Sequence, residues 1–128
     1  MNDKQLQLVN FEQAKRLKKC GFDYPLKEFY NIRGDFETEY QQSKKNWNIG
    51  IHFFSAPPVA LALKWFRDVK GITYEIEACG VGSYTCRYVN ARGEFVNANG
   101  GKVYNNYEAA ESALLDELSN LTEKENEK

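Results

Sequence analysis

Histidine and cysteine side chains, the ones most often used as catalytic base, thiol nucleophile or zinc ligand, are few in this chain, which holds one histidine, His52, and three cysteines, Cys20, Cys79 and Cys86. A Cys/His dyad needs a thiol whose pKa is lowered by nearby positive charge or a helix N-terminus. His52 instead adjoins Phe53 and Phe54 in an apolar stretch, where an imidazole is ordinarily structural. Zinc sites draw their ligands from close pairs such as C-x₂₋₄-C, whereas Cys79 and Cys86, the nearest pair, are separated by six residues. No metal and no cofactor is therefore expected. Gly80-Val81-Gly82-Ser83 begins like a dinucleotide fingerprint but has Thr85 where the third glycine belongs, and Ser83 directly follows Gly82, unlike a nucleophile elbow. Glu75 and Glu77, two apart, would project from one side of a strand and read as its wet face rather than as paired hydrolase carboxylates.

Binding chemistry is better represented. Lys15, Arg16, Lys18 and Lys19 form a basic run that could contact phosphate. Aromatic residues crowd the segment from Phe22 to Trp47, including Tyr30, Tyr40 and Trp47. Large rings are favoured anchors of protein interfaces, so these three, with Leu61 and Trp65, are the expected interaction surface.

Several elements must position these groups. FEQAKRLKKC at 11–20 places Phe11, Ala14 and Leu17 on one helical face, with Asn10 as N-cap and Gly21 as stop. Residues 22–48 show no sustained period and are read as loops with short strands. Ile49 to Phe54 is expected as a strand, followed by a helix capped by Ser55, carrying Pro57 and Pro58 in its first turn and running to Val69. Apolar residues wrap more than half of that helix, so either it is covered on two sides or Leu61 and Trp65 face another chain.

From Ile72 the period becomes two. Ala78, Ile76 and Tyr74 should lie opposite Tyr84, Cys86 and Tyr88 across a Gly80-Val81-Gly82 loop, and Asn90-Ala91-Arg92-Gly93 should turn into a third strand. A last helix, started by Asn105 and Glu108, buries Tyr107, Ala110, Leu114, Leu118 and Leu121. The expected fold is α+β: an antiparallel three-stranded meander plus one or two short strands, with about three helices mainly on one face. Residues 1–122 form one domain, and 123–128 form a disordered tail without apolar residues.

The chain has 128 residues, 42% hydrophobic and 27% charged, a composition that excludes fibrous and wholly disordered classes. A net charge of −1 provides no overall field for nucleic acid or anionic membrane, although residues 1–70 carry 12 basic against 8 acidic side chains and residues 71–128 carry 5 against 10. No apolar run approaches the ~18 residues that would span a bilayer. With three cysteines and no secretory stretch at the N-terminus, reduced thiols and a cytoplasmic location are expected.

Three phrases, FEQAKRLKKCGF at 11–22, SAPPVALALKWFRDVKGI at 55–72 and YNNYEAAESALLDEL at 104–118, resemble short uncharacterised proteins of prophages and mobile elements of gut bacteria. The resemblance brings no known activity and carries over no catalytic or binding residue; an accessory protein of a mobile element is the expectation drawn beside it. The first functional expectation is a non-enzymatic protein-interaction module acting on itself, possible homodimer included, or on a host protein. A nucleic-acid-binding accessory protein is the alternative, and a small enzyme with a Cys/His site the second.

Overall fold

The computed structural model of the protein describes residues 6–39 and 44–126. Among these residues three helices and six strands follow the order α1 (Phe11–Cys20), β1 (Glu28–Asn31), β2 (Phe36–Thr38), β3 (Phe53–Ser55), α2 (Val59–Val69), β4 (Tyr74–Gly80), β5 (Ser83–Val89), β6 (Phe95–Asn97) and α3 (Tyr107–Asn126). The fold is α+β with three helices. The short strands do not extend the meander; they form a sheet of their own, ordered β2-β1-β3, beside the meander β4-β5-β6, and both sheets are antiparallel.

Local chemistry sets the boundaries of α1. The side chain of Asn10 accepts the Gln13 N–H, and that of Gln13 accepts the Asn10 N–H, satisfying two of the donors that a helix start leaves open. Gly21 ends the helix in the left-handed conformation, which costs a residue without Cβ nothing. The buried face of α1, Gln13, Ala14, Leu17 and Cys20, meets α3. There Gln13 Nε2 donates to Ser112 Oγ (2.8 Å) and Asp116 Oδ1 (3.2 Å), and Arg16 donates to Asn120 Oδ1.

The start of α2 differs from expectation. Ser55 caps nothing: it ends β3, fully buried, and Val59 is the first helical residue. A residue before proline is pushed out of the α region, so neither Ala56 nor Pro57 could begin a helix. The two prolines instead run extended beside the N-terminal segment, where Val9 donates to the Pro57 carbonyl and Val59 to that of Gln7.

Both flanks of α2 are indeed covered. Val59, Ala62, Leu63, Trp65 and Phe66 are buried, and the helix packs on α3 while Phe22 lies against Trp65 with ring centroids 5.5 Å apart. Burying Val59, Leu63 and Phe66 contributes roughly 1.5–3 kcal/mol each.

In the meander, Tyr74, Ile76 and Ala78 pair with Tyr88, Cys86 and Tyr84, the register that period two requires. The hairpin loop is shorter than the expected three residues, because Gly80 already pairs with Ser83 and Cys79 bulges out of the ladder. Asn90 Oδ1 accepts the N–H groups of Arg92 and Glu94, shaping the second turn.

The last helix is capped one residue later than expected, by Asn106 Oδ1 accepting the Ala109 N–H. It also continues through residues 123–126, which were expected as a disordered tail. Packing of Leu118, Ser119 and Thr122 anchors the turn before them, and Glu and Lys are good helix formers that let it propagate. Tyr107, expected inside, is 44% exposed.

Candidate interaction surface

Between Lys45 and Phe53 the chain neither continues as a strand nor collapses onto the core. Trp47–Ile49 form a 3₁₀ turn, so the expected strand over residues 49–54 is replaced by this turn, a bend and the short β3. Asparagine chemistry accounts for the difference. Asn46 Oδ1 accepts the Asn48 N–H (3.0 Å), Asn48 Nδ2 donates to the Phe22 carbonyl (2.9 Å), and Asn48 Oδ1 accepts the Ser55 N–H (2.9 Å). Side chains that bind nearby backbone in this way draw it out of extended pairing.

Two further residues secure the loop from either side. Trp47 stacks on Phe29 with centroids 3.9 Å apart and donates its indole N–H to the Leu26 carbonyl (2.8 Å). From α1, the Lys18 ammonium donates to the carbonyls of Gly50 and Phe53. Partial desolvation lowers the pKa of this ammonium from the usual lysine range. β3 is an outer strand of its sheet, and Lys18 on Phe53 and Asn48 on Ser55 occupy backbone groups along it that would otherwise stand open.

On this pinned frame, Ile49 is 83% exposed, Ile51 77% and Phe53 37%, with Phe53 edge-on to both Trp47 and Phe29. Three large apolar side chains within five residues, held by hydrogen bonds and supported by an aromatic stack, form a preorganised apolar surface. His52 is exposed between them, and Lys45 lies over the Trp47 ring.

A groove of about 530 Å³ adjoins the loop, lined by Glu12, Lys15, Arg16, Lys18, Lys19, Phe54 and Glu123. The four basic residues of the sequence reading thus gather on one side of the molecule, but not as four equal anion contacts. Lys15 pairs with Glu12 at 2.9 Å, Arg16 with Asn120, and Lys18 is spent on the loop carbonyls.

The residues expected as interaction anchors do not converge. Trp65 is 1% exposed and its indole N–H donates to Asp23; the apolar stripe of α2 is taken up inside the chain except at its end, where Val69 is exposed, so Trp65 offers no surface. Leu61 is half-buried against the same core. Tyr30 lies on the other face of the first sheet, packed on Phe11 and Phe36 with its hydroxyl donating to the Val9 carbonyl. Tyr40 lies outside the described residues. Trp47 alone belongs to the exposed loop. Sequence reasoning missed Ile49, Ile51 and Phe53 because their alternation imitates a strand; Asn46 and Asn48 on either side of Trp47 were the available signal.

The remaining chemistry is dispersed. Cys20 and Cys86 are buried, and their thiols donate to the carbonyls of Ser119 and Ala110; burial pushes the Cys20 thiol up to about 11 and raises that of Cys86 as well. Cys79 is exposed. Among the described residues, no hydrogen bond joins His52 to a cysteine, and no cluster of three His, Cys, Asp or Glu side chains could hold a metal ion. Glu75 and Glu77 both pair with Arg87 across the hairpin, and the guanidinium covers the Phe95 ring at 4.4 Å. No helix among the described residues is long and apolar enough to cross a membrane. No protein-family model, curated protein or solved structure matches the chain.

Proposed function

We propose that the protein is an interaction module that presents the loop 49–53 to a protein partner, an accessory role in keeping with the resemblance of its three phrases to mobile-element proteins. The observation that carries this reading is the exposure of Ile49, Ile51 and Phe53 on a loop held by Asn48, Trp47 and Lys18. A surface already in its binding shape loses little conformational entropy on association. Exposing apolar side chains on a loop fixed by specific bonds also serves no purpose in the core.

Charge favours a different protein over a second copy. Lys18, Lys44 and Lys45 lie in or beside the loop, so a two-fold dimer through this surface would bring like charges together around its axis.

Panning a phage library of random dodecapeptides on the immobilised protein tests the reading. Recovered peptides should lose at least ten-fold in affinity for the double variant Ile49→Ser/Ile51→Ser, as befits removal of central apolar anchors, while that variant melts with the parent. Peptides bound equally by both proteins, or none enriched over bare support, would overturn it. Light scattering after size exclusion should give the monomer mass.

A further inference from the structure

We infer that the groove along α1 receives carboxylates of the same partner segment, so that the segment recognised is an acidic peptide with an apolar anchor. This rests on the loop being the contact surface. Loop and groove share a wall: Lys18 bonds the carbonyls of Gly50 and Phe53, sits 4.6 Å over the Phe54 ring, and lines the groove together with that ring. One bound chain can therefore touch both.

Inside the groove the cations are spaced for discrete acids. Lys15 and Lys19 are four residues apart on one face of α1, hence about 5–6 Å between Cβ atoms, close to the ~7 Å between alternate side chains of an extended peptide. Among the described residues Lys19 has no ion pair. Lys15 has only Glu12, whose side chain is 77% exposed and so weakly held. Arg16 uses a single N–H on Asn120 and keeps other donors.

One feature selects a peptide over a polyanion. Glu12 and Glu123 line the groove among the cations, where a continuous phosphate backbone or an anionic bilayer would meet them, whereas a peptide can place its carboxylates between them.

The experiment uses the peptides enriched on the full-length protein, resynthesised with a fluorescein label and in parallel with every Asp and Glu changed to Asn and Gln. Enriched sequences should carry at least two acidic residues near an apolar one. The amidated versions should bind at least ten-fold more weakly by anisotropy, raising NaCl from 50 to 300 mM should weaken the acidic peptides more than the amidated ones, and Lys15→Gln/Lys19→Gln should bring parent and amidated peptides to similar affinity. Lys19→Gln alone provides the same comparison with Glu12 still paired. Enriched peptides without acidic residues, or amidated versions that bind as tightly, overturn the inference while sensitivity to Ile49→Ser/Ile51→Ser keeps the loop reading standing. Oligo(dT) or phosphatidylserine vesicles that bind more tightly than the peptides and depend on the same lysines would also overturn it, in favour of a polyanion.

Discussion

Asn48→Ala removes the side chain that ties the 3₁₀ turn to the rest of the first sheet. It deletes two hydrogen bonds, to the Phe22 carbonyl and from the Ser55 N–H, both on residues that are buried. A buried group left without its partner costs about 1–3 kcal/mol. Asn48 is itself half-buried, so water can replace part of what is lost, and we expect a total of about 2–4 kcal/mol. For 128 residues at roughly 2.1 cal/mol/K each, the unfolding entropy is about 0.27 kcal/mol/K, so Tm should fall by roughly 7–15 °C. Asn48→Asp separates the two bonds. It keeps the acceptor for Ser55 but sets a carboxylate against the Phe22 carbonyl, so its loss should be comparable at neutral pH and shrink in acid. The sign follows from linkage: that repulsion raises the folded-state pKa of the introduced carboxyl, and the protonated form, which donates again, is the stabilised one below that pKa. Circular dichroism melts of parent and both variants from pH 4 to 8 measure this. An Asn48→Ala melt within about 2 °C of the parent, or an Asn48→Asp penalty independent of pH, would refute the role assigned to Asn48.

Other expectations follow from burial. Trp65→Ala should cost about 3–5 kcal/mol by urea unfolding, since the ring packs on Phe22 and Phe66 and its N–H bonds Asp23, whereas Ile49→Ser should stay within about 0.5 kcal/mol because Ile49 is in water. Gly34→Ala should destabilise by about 1–3 kcal/mol in the same assay, because φ there is +88° and a Cβ would lie 3.0 Å from the Phe11 ring. With a thiol reagent at pH 8, one equivalent from Cys79 should react promptly and the Cys20 and Cys86 thiols only on unfolding; a pKa of about 11 leaves Cys20 roughly one part in a thousand thiolate. Stability should decline as pH rises from about 9 towards 11, because burial raises the folded-state pKa of Cys20 and those of Tyr30, Tyr74, Tyr88 and Tyr104, so the unfolded chain gives up these protons first. Cys20→Val should remove its share of that decline.

What the sequence disclosed was local. The helix from Phe11 to Cys20 carried its cap, its stripe and its stop within twelve residues, and the alternation from Tyr74 to Tyr88 determined which side chains face one another. The width of the α2 stripe correctly required two coverings, but nothing in it named Phe22 and α3 as the covers. The pairing of β1 with β3 joins segments more than twenty residues apart, and no periodicity marks it. Two local signals point to the observed structure: proline's restraint on its predecessor rules out a helix start at Ser55, and the asparagines on either side of Trp47 argue against a strand there. The exposed loop was hidden for a deeper reason. Ile49, Ile51 and Phe53 have the composition of a core strand, and only three-dimensional placement shows Ile49 and Ile51 standing open and Phe53 partly covered by Trp47 and Phe29.

The occupied rim of β3 has a bearing on selectivity. Strand-to-strand docking reads almost no sequence, because every polypeptide offers the same amides, and a free rim would accept any extended chain that drifted past. With Lys18 seated on the Phe53 carbonyl and Asn48 on the Ser55 amide, that indiscriminate route is shut. Whatever settles beside Ile51 must be chosen by its own side groups, which makes the neighbourhood a discriminating reader.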